Sequence, residues 1–302
     1  MTKKKFTLTA SAKEELMAWL FLSPTVVAFL VFVALPIITA FTISFFNWDP
    51  LTGLANIKFV GLKNFEQLIS DKTFWFSLRI TFTIVIAAVP IMLSLSLIIA
   101  LLLNQRLFLR GFIRMSVFVP YITTNVAVAM VFVGLFHRDG FINMALSLIG
   151  NNNPPFWLAN DIWALVAIII IVVWKDMGYC MIIYLAGLQS IPRVYYEAAS
   201  IDGASTLRKI FHITIPLVTP TTFFLLVIQS IAVFRIFDIV RVLTGGGPFG
   251  STNVIINNIY QNAFLFNKLG YSSAMALVFF LIILSITLLQ WIGEKHWVNY
   301  EA

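Results

Sequence analysis

Charged residues and cysteine are both scarce in this chain, and each shortage excludes a class of protein. Only 11% of the 302 residues are charged, whereas 60% are hydrophobic. A soluble domain of this size cannot bury so much apolar surface, so part of that surface must face lipid. The single cysteine, Cys180, excludes a disulfide within the chain and a cysteine-based metal site, and we interpret it as a packing residue.

Motifs for metal and nucleotide chemistry are missing as well. The three histidines, His137, His212 and His296, are scattered along the chain and form no HExxH pair. A glycine run at 245–247 is followed by Pro248 and lacks the lysine of a phosphate-binding P-loop. We interpret this run as a flexible turn, with a contact to a partner on the outer face as the alternative. The sequence predicts no catalytic residue, no metal site and no cofactor bound by this chain.

Long apolar runs account for most of the hydrophobic residues. The net charge of +7 does not indicate nucleic-acid binding, because the basic residues flank these runs and do not gather on one polar face. Each run is about 20 residues or longer, which is enough to cross a bilayer. The runs fall at 19–46, 77–103, 112–136, 162–187, 217–240 and 271–292. They predict an all-α integral membrane protein whose six transmembrane helices form one domain over 19–292.

The segments that flank this domain, 1–18 and 293–302, are predicted to be cytoplasmic. Lys and Arg are more frequent on the side of the runs that carries the termini, as the positive-inside rule requires. The first run is too long for a signal-peptide core and is followed by no small-residue cleavage pattern, so we expect an uncleaved span. Pro24 and Pro36 are expected to kink it.

A polar and partly basic stretch, EAASIDGASTLRKIFHITIP, begins at Glu197 between the fourth and fifth runs. Good helix formers surround Glu197, Gly203 permits a sharp turn, and a second short helix is expected over 204–211. Two short helices with an apolar ridge and a charged rim form a shape that can dock into a cleft of another protein. The alternative is an interfacial helix whose Arg208 and Lys209 contact lipid headgroups.

This stretch resembles the cytoplasmic coupling loop of permease subunits in bacterial binding-protein-dependent ABC importers. The likeness covers roughly 20–292 and includes GLQSIPRVYYEAASIDGAS, RVLTGGGP, FVGLKNFEQL and VFVPYITTNVAVAMVF. These segments are similar to the first permease subunit of carbohydrate importers, such as those for maltose, oligosaccharides or glycerol phosphate. One departure is Ile215-Pro216, where the family usually has Leu-Pro.

The resemblance implies a type I permease core in the bacterial inner membrane that imports a sugar, an oligosaccharide or a related polyol by alternating access. ATP and Mg²⁺ would be bound by a partner ABC ATPase dimer. The other implied partners are a second homologous permease, an extracytoplasmic solute-binding protein and membrane lipid. The implied coupling loop spans 188–216. Its residues implied to contact the ATPase are Tyr196, Glu197, Ala198, Ala199, Asp202, Gly203 and Arg208.

Polar side chains inside the apolar runs are candidates for a substrate path. A charged group at mid-bilayer costs on the order of 2.5–3.5 kcal/mol on insertion scales, so such groups usually face a cavity or a partner. The candidates are Asn125, Lys175, Asp176, Tyr179, Gln229 and Asp238. For Asp238 the alternative is neutralisation by Arg235 and Arg241, each three residues away on one helix.

Two of these candidates also carry a family resemblance. Tyr179 and Gln229 fall where the similar maltose permease subunit contacts its sugar, although the residues around Gln229 are less polar here. The identity of the sugar therefore does not carry over. The alternative function is an ion-coupled secondary transporter, which would need a relay of buried carboxylates, and only Asp176 and Asp238 are candidates for one.

Overall fold

The structure is a computed structural model that describes residues 10–53, 56–105, 108–151 and 153–299. The ends of the two predicted flanking segments, 1–9 and 300–302, lie outside the described residues. The chain divides into two compact units. One unit comprises the chain up to Ser70 together with Asn262–Leu277, and the other comprises Asp71–Gln261 together with the chain from Val278 onward.

Helices dominate both units. In the described part of the chain the α-helices are α1 (Ala10–Phe29), α2 (Leu35–Ile43), α3 (Lys63–Ser70), α4 (Lys72–Leu103), α5 (Arg110–Ile122), α6 (Asn125–Leu135), α7 (Phe141–Leu148), α8 (Asp161–Ser190), α9 (Arg193–Ile201), α10 (Thr206–Lys209), α11 (Ile215–Leu217), α12 (Thr219–Phe234), α13 (Asp238–Leu243), α14 (Ile255–Tyr260) and α15 (Leu269–Glu294). Five-residue π-helical turns cover Leu30–Ala34, Ile210–Thr214 and Gln261–Leu265, and a 3-10 turn covers Pro50–Thr52. Two short strands, β1 (Phe46–Asn47) and β2 (Lys58–Phe59), pair antiparallel.

Among the described residues, up to six helical stretches are long and apolar enough to cross a membrane, in agreement with the predicted all-α membrane fold. Five qualify by themselves: Lys13–Ile43, Lys72–Leu103, Asp161–Ser190, Thr219–Leu243 and Leu269–Glu294. The sixth is made of α5 and α6 together, which meet at an angle of 101°. The first helix begins at Ala10, before the predicted start of the first span at residue 19.

The third span is broken, although it was predicted to be continuous over 112–136. Between α5 and α6, Thr123 is extended, with φ −77° and ψ 142°. The Thr124 side chain then accepts a hydrogen bond at 3.4 Å from a backbone N–H in the first turn of α6, so it caps that helix. Pro120, in the last turn of α5, has no N–H to continue the helical ladder. An extended residue and a local cap thus end one helix and begin another inside a predominantly apolar run.

The fifth span is divided as well. Its main helix, α12, ends at Phe234, and residues 235–237 separate it from α13. The predicted single run over 217–240 therefore becomes two helices that end at Leu243. Arg235 lies within this interruption and Asp238 begins α13, so the two do not share the spacing of one continuous helix.

Helices α4 and α8 form the core of the second unit. Ala88, Met92 and Ser96 of α4 are fully buried. The Ser96 hydroxyl donates to Met177 O of α8 at 2.9 Å, which links the two helices. Cys180 of α8 is buried with its Sγ 3.7 Å from the Met92 Sδ, in the expected packing role. Small and polarizable side chains thus allow close helix packing here.

Helix α5 packs on α8 at Gly178. A Cβ at this position would meet the carbonyl oxygen of Val117 and would lie 2.9 Å from the Phe118 Cα. Any side chain larger than hydrogen would push the two backbones apart. This contact holds the first half of the broken third span against the helix that carries Lys175 and Asp176.

In the first unit, the first span responds differently to its two prolines. Pro24 lies inside α1 without interrupting it. Ahead of Pro36 the helix widens into a π turn, in which the Leu35 N–H bonds to Leu30 O, five residues back. A wider turn relieves the clash between a proline ring and the carbonyl four residues earlier. Only the second of the two predicted kinks therefore coincides with a change in helix geometry.

The first unit also contains the segment that links the first two spans. The register of the β1–β2 pair places Phe46 opposite Phe59 and Asn47 opposite Lys58. The side-chain amide of Asn64 on α3 donates to Phe46 O at 3.0 Å, so α3 is attached to this hairpin. The described parts of this segment thus form a small layer made of the hairpin and α3.

Candidate coupling surface and translocation path

The predicted coupling loop opens with α9 (Arg193–Ile201), which ends in a Schellman motif. The Gly203 N–H donates to Ser200 O at 3.1 Å, and the Ala204 N–H donates to Ala199 O at 2.9 Å. Gly203 has a φ of +75°, in the left-handed region that favours glycine. No atom lies within 4 Å of the place where its Cβ would be. Glycine is therefore favoured by backbone conformation and not by lack of space.

The second half of the loop differs from the separate short helix predicted over 204–211. Ser205 caps α10 through its hydroxyl oxygen, and α10 then runs into the π turn Ile210–Thr214 and on to α11 and α12. In the π turn the Ile215 N–H bonds to the carbonyl five residues back, directly before Pro216, which repeats the geometry seen at the proline of the first span. The loop therefore leads into the fifth span as a nearly continuous helical rod.

Two side-chain hydrogen bonds tie α9 to this rod. The Tyr196 hydroxyl lies 3.0 Å from Thr214 Oγ1, and Lys209 Nζ donates to Ser200 Oγ at 2.6 Å. Both bonds cross the turn at Gly203. A displacement of α9 is thus passed to the start of the fifth span through side chains as well as through the backbone. We call residues 193–217 the α9–α11 element.

The outer surface of the α9–α11 element is apolar and exposed. Val194, Ile201, Leu207 and Phe211 are between 62% and 87% exposed. Large apolar side chains gathered on one short segment mark an interaction surface more often than a bare solvent surface. Of the residues implied to contact an ATPase, those exposed are Glu197, Ala198, Asp202, Gly203 and Arg208, and those half-buried are Tyr196 and Ala199. Tyr196 thus stabilises the element internally through its hydrogen bond to Thr214.

Lys175 of α8 lies against the break in the third span. Its Nζ donates to Tyr121 O at 3.3 Å and lies 5.5 Å from the centroid of the Tyr121 ring. The carbonyl groups of the last turn of a helix have no partner within the helix and attract a cation. The same Nζ lies 3.8 Å from Asp176 Oδ1. Lys175 thus satisfies the end of α5 while its charge is balanced by the neighbouring carboxylate.

Two tyrosines stack beside this charged pair. The rings of Tyr121 and Tyr179 have centroids 4.8 Å apart and planes inclined by 21°. Tyr179 was a candidate from the sequence, whereas Tyr121 was missed. The signal for it was the polar sequence PYITTN inside an apolar run, which marks a break and brings the preceding tyrosine to it.

A hydrogen bond joins the breaks of the third and fifth spans. The Asn125 side-chain amide donates to Asp238 Oδ2 at 3.2 Å. The alternative of neutralisation by Arg235 and Arg241 is not observed, because neither arginine forms an ion pair with Asp238 in the described part of the chain. Arg241 instead lies over the ring of Tyr260, with its Cζ 5.2 Å from the centroid, and Arg235 is exposed.

Gln229 lies against α8 beside Cys180, the residue that follows Tyr179. Its side chain on α12 is buried, at 3% exposed, and its Oε1 has no hydrogen-bond partner among the described residues. A buried amide oxygen without a partner is uncommon in folded proteins. The structure brings Asn125 to Asp238, and Lys175, Asp176 and Tyr179 to Tyr121. Among the described residues, Gln229 forms no hydrogen bond with a member of either group.

The glycine run after the fifth span, which we interpreted from the sequence as a flexible turn, forms a loop with several side-chain hydrogen bonds. The Thr252 hydroxyl donates to Gly247 O at 2.6 Å and lies 2.7 Å from Thr244 Oγ1, and the Asn257 amide donates to Asn253 Oδ1 at 2.7 Å. At the tip of this loop, Phe249 is 97% exposed. These hydrogen bonds stabilise the loop that presents the exposed Phe249 side chain.

Comparisons with known proteins agree with this architecture. Residues 81–297 match the family described as binding-protein-dependent transport system inner membrane component. The probable ABC transporter permease protein YesP of Bacillus subtilis (strain 168) is 37% identical over 294 residues, which cover 96% of this chain and 94% of that protein. The trehalose/maltose transport system permease protein MalF of Thermococcus litoralis is 35% identical over 277 residues, covering 91% and 92%.

The fold is also found in a solved transporter. A chain in the crystal structure of a bacterial ABC transporter involved in the import of the acidic polysaccharide alginate superposes with a TM-score of 0.81 at 24% identity, covering 95% of this chain and 98% of that one. This likeness concerns the fold alone. Together with the sequence matches, it shows that the chain has a type I permease core and belongs to the family of inner membrane components of binding-protein-dependent transport systems.

Proposed function

We propose that this chain is the permease subunit of an ATP-driven importer in a bacterial inner membrane. It moves a sugar, an oligosaccharide or a related polyol by alternating access. The observation that supports this most is the α9–α11 element, an exposed apolar surface attached through Tyr196 and Lys209 to the rod that becomes the fifth span. A surface built in this way can receive motion from a partner and deliver it to the membrane domain.

The partner proposed for this surface is an ABC ATPase dimer, which binds ATP and Mg²⁺. The sequence contains no P-loop of its own, so nucleotide must be bound by another chain. Apolar side chains such as Ile201 and Phe211 would fill a cleft, and exposed rim charges such as Glu197 and Arg208 would select the partner and its orientation. Closure of the dimer on ATP would then displace α9 and the start of α12.

A second homologous permease would complete the path. Tyr121 and Asp238, which lie at the two helix breaks, are exposed in the single chain. Side chains of this kind at membrane depth usually face a protein interior or an aqueous cavity. A facing subunit would supply the missing wall, and broken helices of this type recur at the substrate sites of transporters.

The extracytoplasmic partner proposed is a solute-binding protein that delivers the substrate. Two observations support this: the family is binding-protein-dependent by description, and the outer loop presents Phe249 on a hydrogen-bonded support. Aromatic side chains held rigidly at a surface are frequent anchors of protein interfaces. In this arrangement both termini and the α9–α11 element are cytoplasmic. Reporter fusions at Ser205 and Asn153 should therefore report the cytoplasm and the periplasm, respectively.

Carbohydrate is the substrate class proposed, because the relatives named above include a trehalose/maltose permease. The chemistry of the path is compatible with it. The stacked pair of Tyr121 and Tyr179 offers a flat apolar wall for the C–H face of a sugar, and Asn125 with Asp238 offers hydrogen bonds for hydroxyl groups.

Ion-coupled transport is less well supported. A proton or sodium relay needs carboxylates that are free to change their partner. Asp176 lies beside the cation Lys175, and Asp238 accepts from Asn125, so each candidate carboxylate is already engaged.

Transport by the reconstituted complex tests the proposal. The chain, a second permease, the ATPase and the binding protein are placed in liposomes, and uptake of labelled sugar is measured with ATP inside. We expect uptake that requires ATP and survives ionophores that collapse proton and sodium gradients. Uptake that stops with the ionophores and persists without ATP would instead identify an ion-coupled carrier.

A further inference from the structure

We propose that the phosphate of an anionic phospholipid binds at the start of α5, between Arg110 and Arg114. The two side chains lie four residues apart, so they occupy the same face of the helix. This inference concerns the membrane boundary and does not depend on the transport function proposed above.

The two arginine side chains are half-buried, and three of their guanidinium nitrogens are shielded from solvent without a hydrogen-bond partner among the described residues. Within the part of the chain that the structure describes, Arg110 Nε and both Nε and Nη2 of Arg114 are shielded from solvent and have no hydrogen-bond partner. No carboxylate among those residues pairs with either side chain. Two like charges one turn apart also repel each other. A group with several oxygen acceptors and negative charge would accept hydrogen bonds from the unpartnered N–H groups and would offset the repulsion between the two arginines.

The position of these arginines in the helix makes the need for an anion greater. The N-terminus of a helix carries a partial positive charge, so basic residues in the first turn are unfavourable there. Leu109 at the N-cap has a φ of +61° and provides no side-chain cap, so the first N–H groups of α5 lack that partner too. An anion at this helix end would therefore be stabilised by the uncapped N–H groups and by Arg110 in the first turn, and Arg114, one turn further along the same face, would add its charge.

The surroundings identify the source of the anion as lipid. Phe108, Phe112 and Met115, which flank the arginines in sequence, are between 67% and 89% exposed. They lie at the end of an apolar span, where large apolar side chains contact acyl chains and arginine side chains reach towards headgroup phosphates. A planar guanidinium binds two phosphate oxygens at once, which makes arginine well suited to this role. The two positive charges of Arg110 and Arg114 favour an anionic phospholipid over a zwitterionic one.

Lipid retention by the purified chain tests this inference. The full-length protein is delipidated in detergent, supplied with phosphatidylglycerol or phosphatidylcholine, and examined by native mass spectrometry and thermal unfolding. We expect the protein to retain phosphatidylglycerol and to unfold at a higher temperature when it is bound. A control with phosphatidylcholine and free inorganic phosphate should show neither lipid retention nor a higher unfolding temperature. Arg114→Gln should lower the occupancy by about tenfold, as loss of one charge-assisted contact implies.

Two further variants separate a specific site from general attraction. Lys295→Gln removes an exposed basic residue that follows α15 and should leave the retention of phosphatidylglycerol unchanged. Arg114→Lys keeps the charge but loses the planar fork, so its occupancy should fall between those of the wild type and Arg114→Gln. If Arg114→Gln does not fold, Arg114→Lys and Arg110→Gln provide the same comparison.

Several results would overturn the inference. Equal retention of the two lipids, or unchanged retention in the arginine variants, would show that the headgroup is not recognised there. Stabilisation by free phosphate alone would assign the site to a soluble anion. Loss of bound phosphatidylglycerol when the chain assembles with its partner subunits would show that a protein acid, and not a lipid, occupies the site.

Discussion

Tyr196 and Thr214 are joined across the predicted coupling loop by a hydrogen bond of 3.0 Å between their hydroxyl oxygens. Tyr196 belongs to α9, and Thr214 closes the π turn that leads into the fifth span. The bond therefore connects the proposed ATPase contact to the membrane domain without passing through the turn at Gly203.

Tyr196→Phe should loosen this connection without unfolding the loop. A hydrogen bond of this kind contributes about 0.5–1.5 kcal/mol, and Thr214 keeps its own bond to Lys209 O. We expect normal assembly and ATP hydrolysis, with the sugar transported per ATP lower by roughly two- to tenfold. Tyr195→Phe, next to it on the exposed side, is the matched control. Equal coupling ratios in the two variants would argue against a mechanical role for the Tyr196–Thr214 bond.

Gly203 should be sensitive to backbone preference and not to side-chain size. Its φ of +75° costs a residue with a Cβ about 1–2 kcal/mol, although Asn and Asp tolerate this region better than other residues do. Gly203→Val should therefore reduce uptake strongly, whereas Gly203→Asn should keep most of it. Uptake assays at matched expression levels make the comparison. A similar loss in both variants would show that the loop needs free space here, contrary to the structure.

Gly178 should be required for packing of the third span. A Cβ would meet the carbonyl oxygen of Val117, so Gly178→Ala should force α5 away from α8 and destabilise the fold by about 1–3 kcal/mol. Gly134→Ala on α6 has open space around its Cβ and is the control. Thermal unfolding in detergent should show a lower midpoint for Gly178→Ala only. Equal midpoints would mean that the two helices are not in backbone contact.

The sequence predicted the spans well because hydropathy and length are averaged properties. It missed the break at Thr123 and Thr124 for the same reason, since two threonines inside an apolar run hardly change the average. The partners of Asp238 were also missed, because spacing along one helix suggested Arg235 and Arg241. The break at 235–237 removes that spacing for Arg235, Arg241 on α13 lies over the Tyr260 ring, and tertiary contact brings Asn125 to Asp238 instead.

The path residues should control which substrate is transported. Gln229→Leu preserves bulk and removes an amide whose Oε1 is buried and unpartnered, so it should not destabilise the fold. Tyr121→Ala removes one ring of the stacked pair beside Lys175. We expect Tyr121→Ala to lower uptake or shift the preferred sugar, and Gln229→Leu to do so only if α12 exposes Gln229 during transport. Uptake kinetics over a panel of sugars provide the readout, with ATP hydrolysis as the control for assembly.

Wild-type rates and selectivity in both variants would place the path elsewhere, in the wall supplied by the second permease. A loss of ATP hydrolysis along with uptake would indicate a failure of assembly. Lower uptake or a changed sugar preference, with ATP hydrolysis at the wild-type rate, supports the assignment of these side chains to the path.

Cross-linking at Ala198 tests the central claim most directly. The chain has one cysteine, Cys180, which is buried, so Cys180→Ser gives a background for single introduced cysteines. In that background, Ala198→Cys on the exposed side of α9 should cross-link to the ATPase subunit, and the yield should change when ATP closes the dimer. Asn151→Cys, predicted to lie on the opposite membrane face, should give no such product. Failure of Ala198→Cys to cross-link in a complex that hydrolyses ATP and transports sugar would contradict the assignment of the α9–α11 element as the coupling surface.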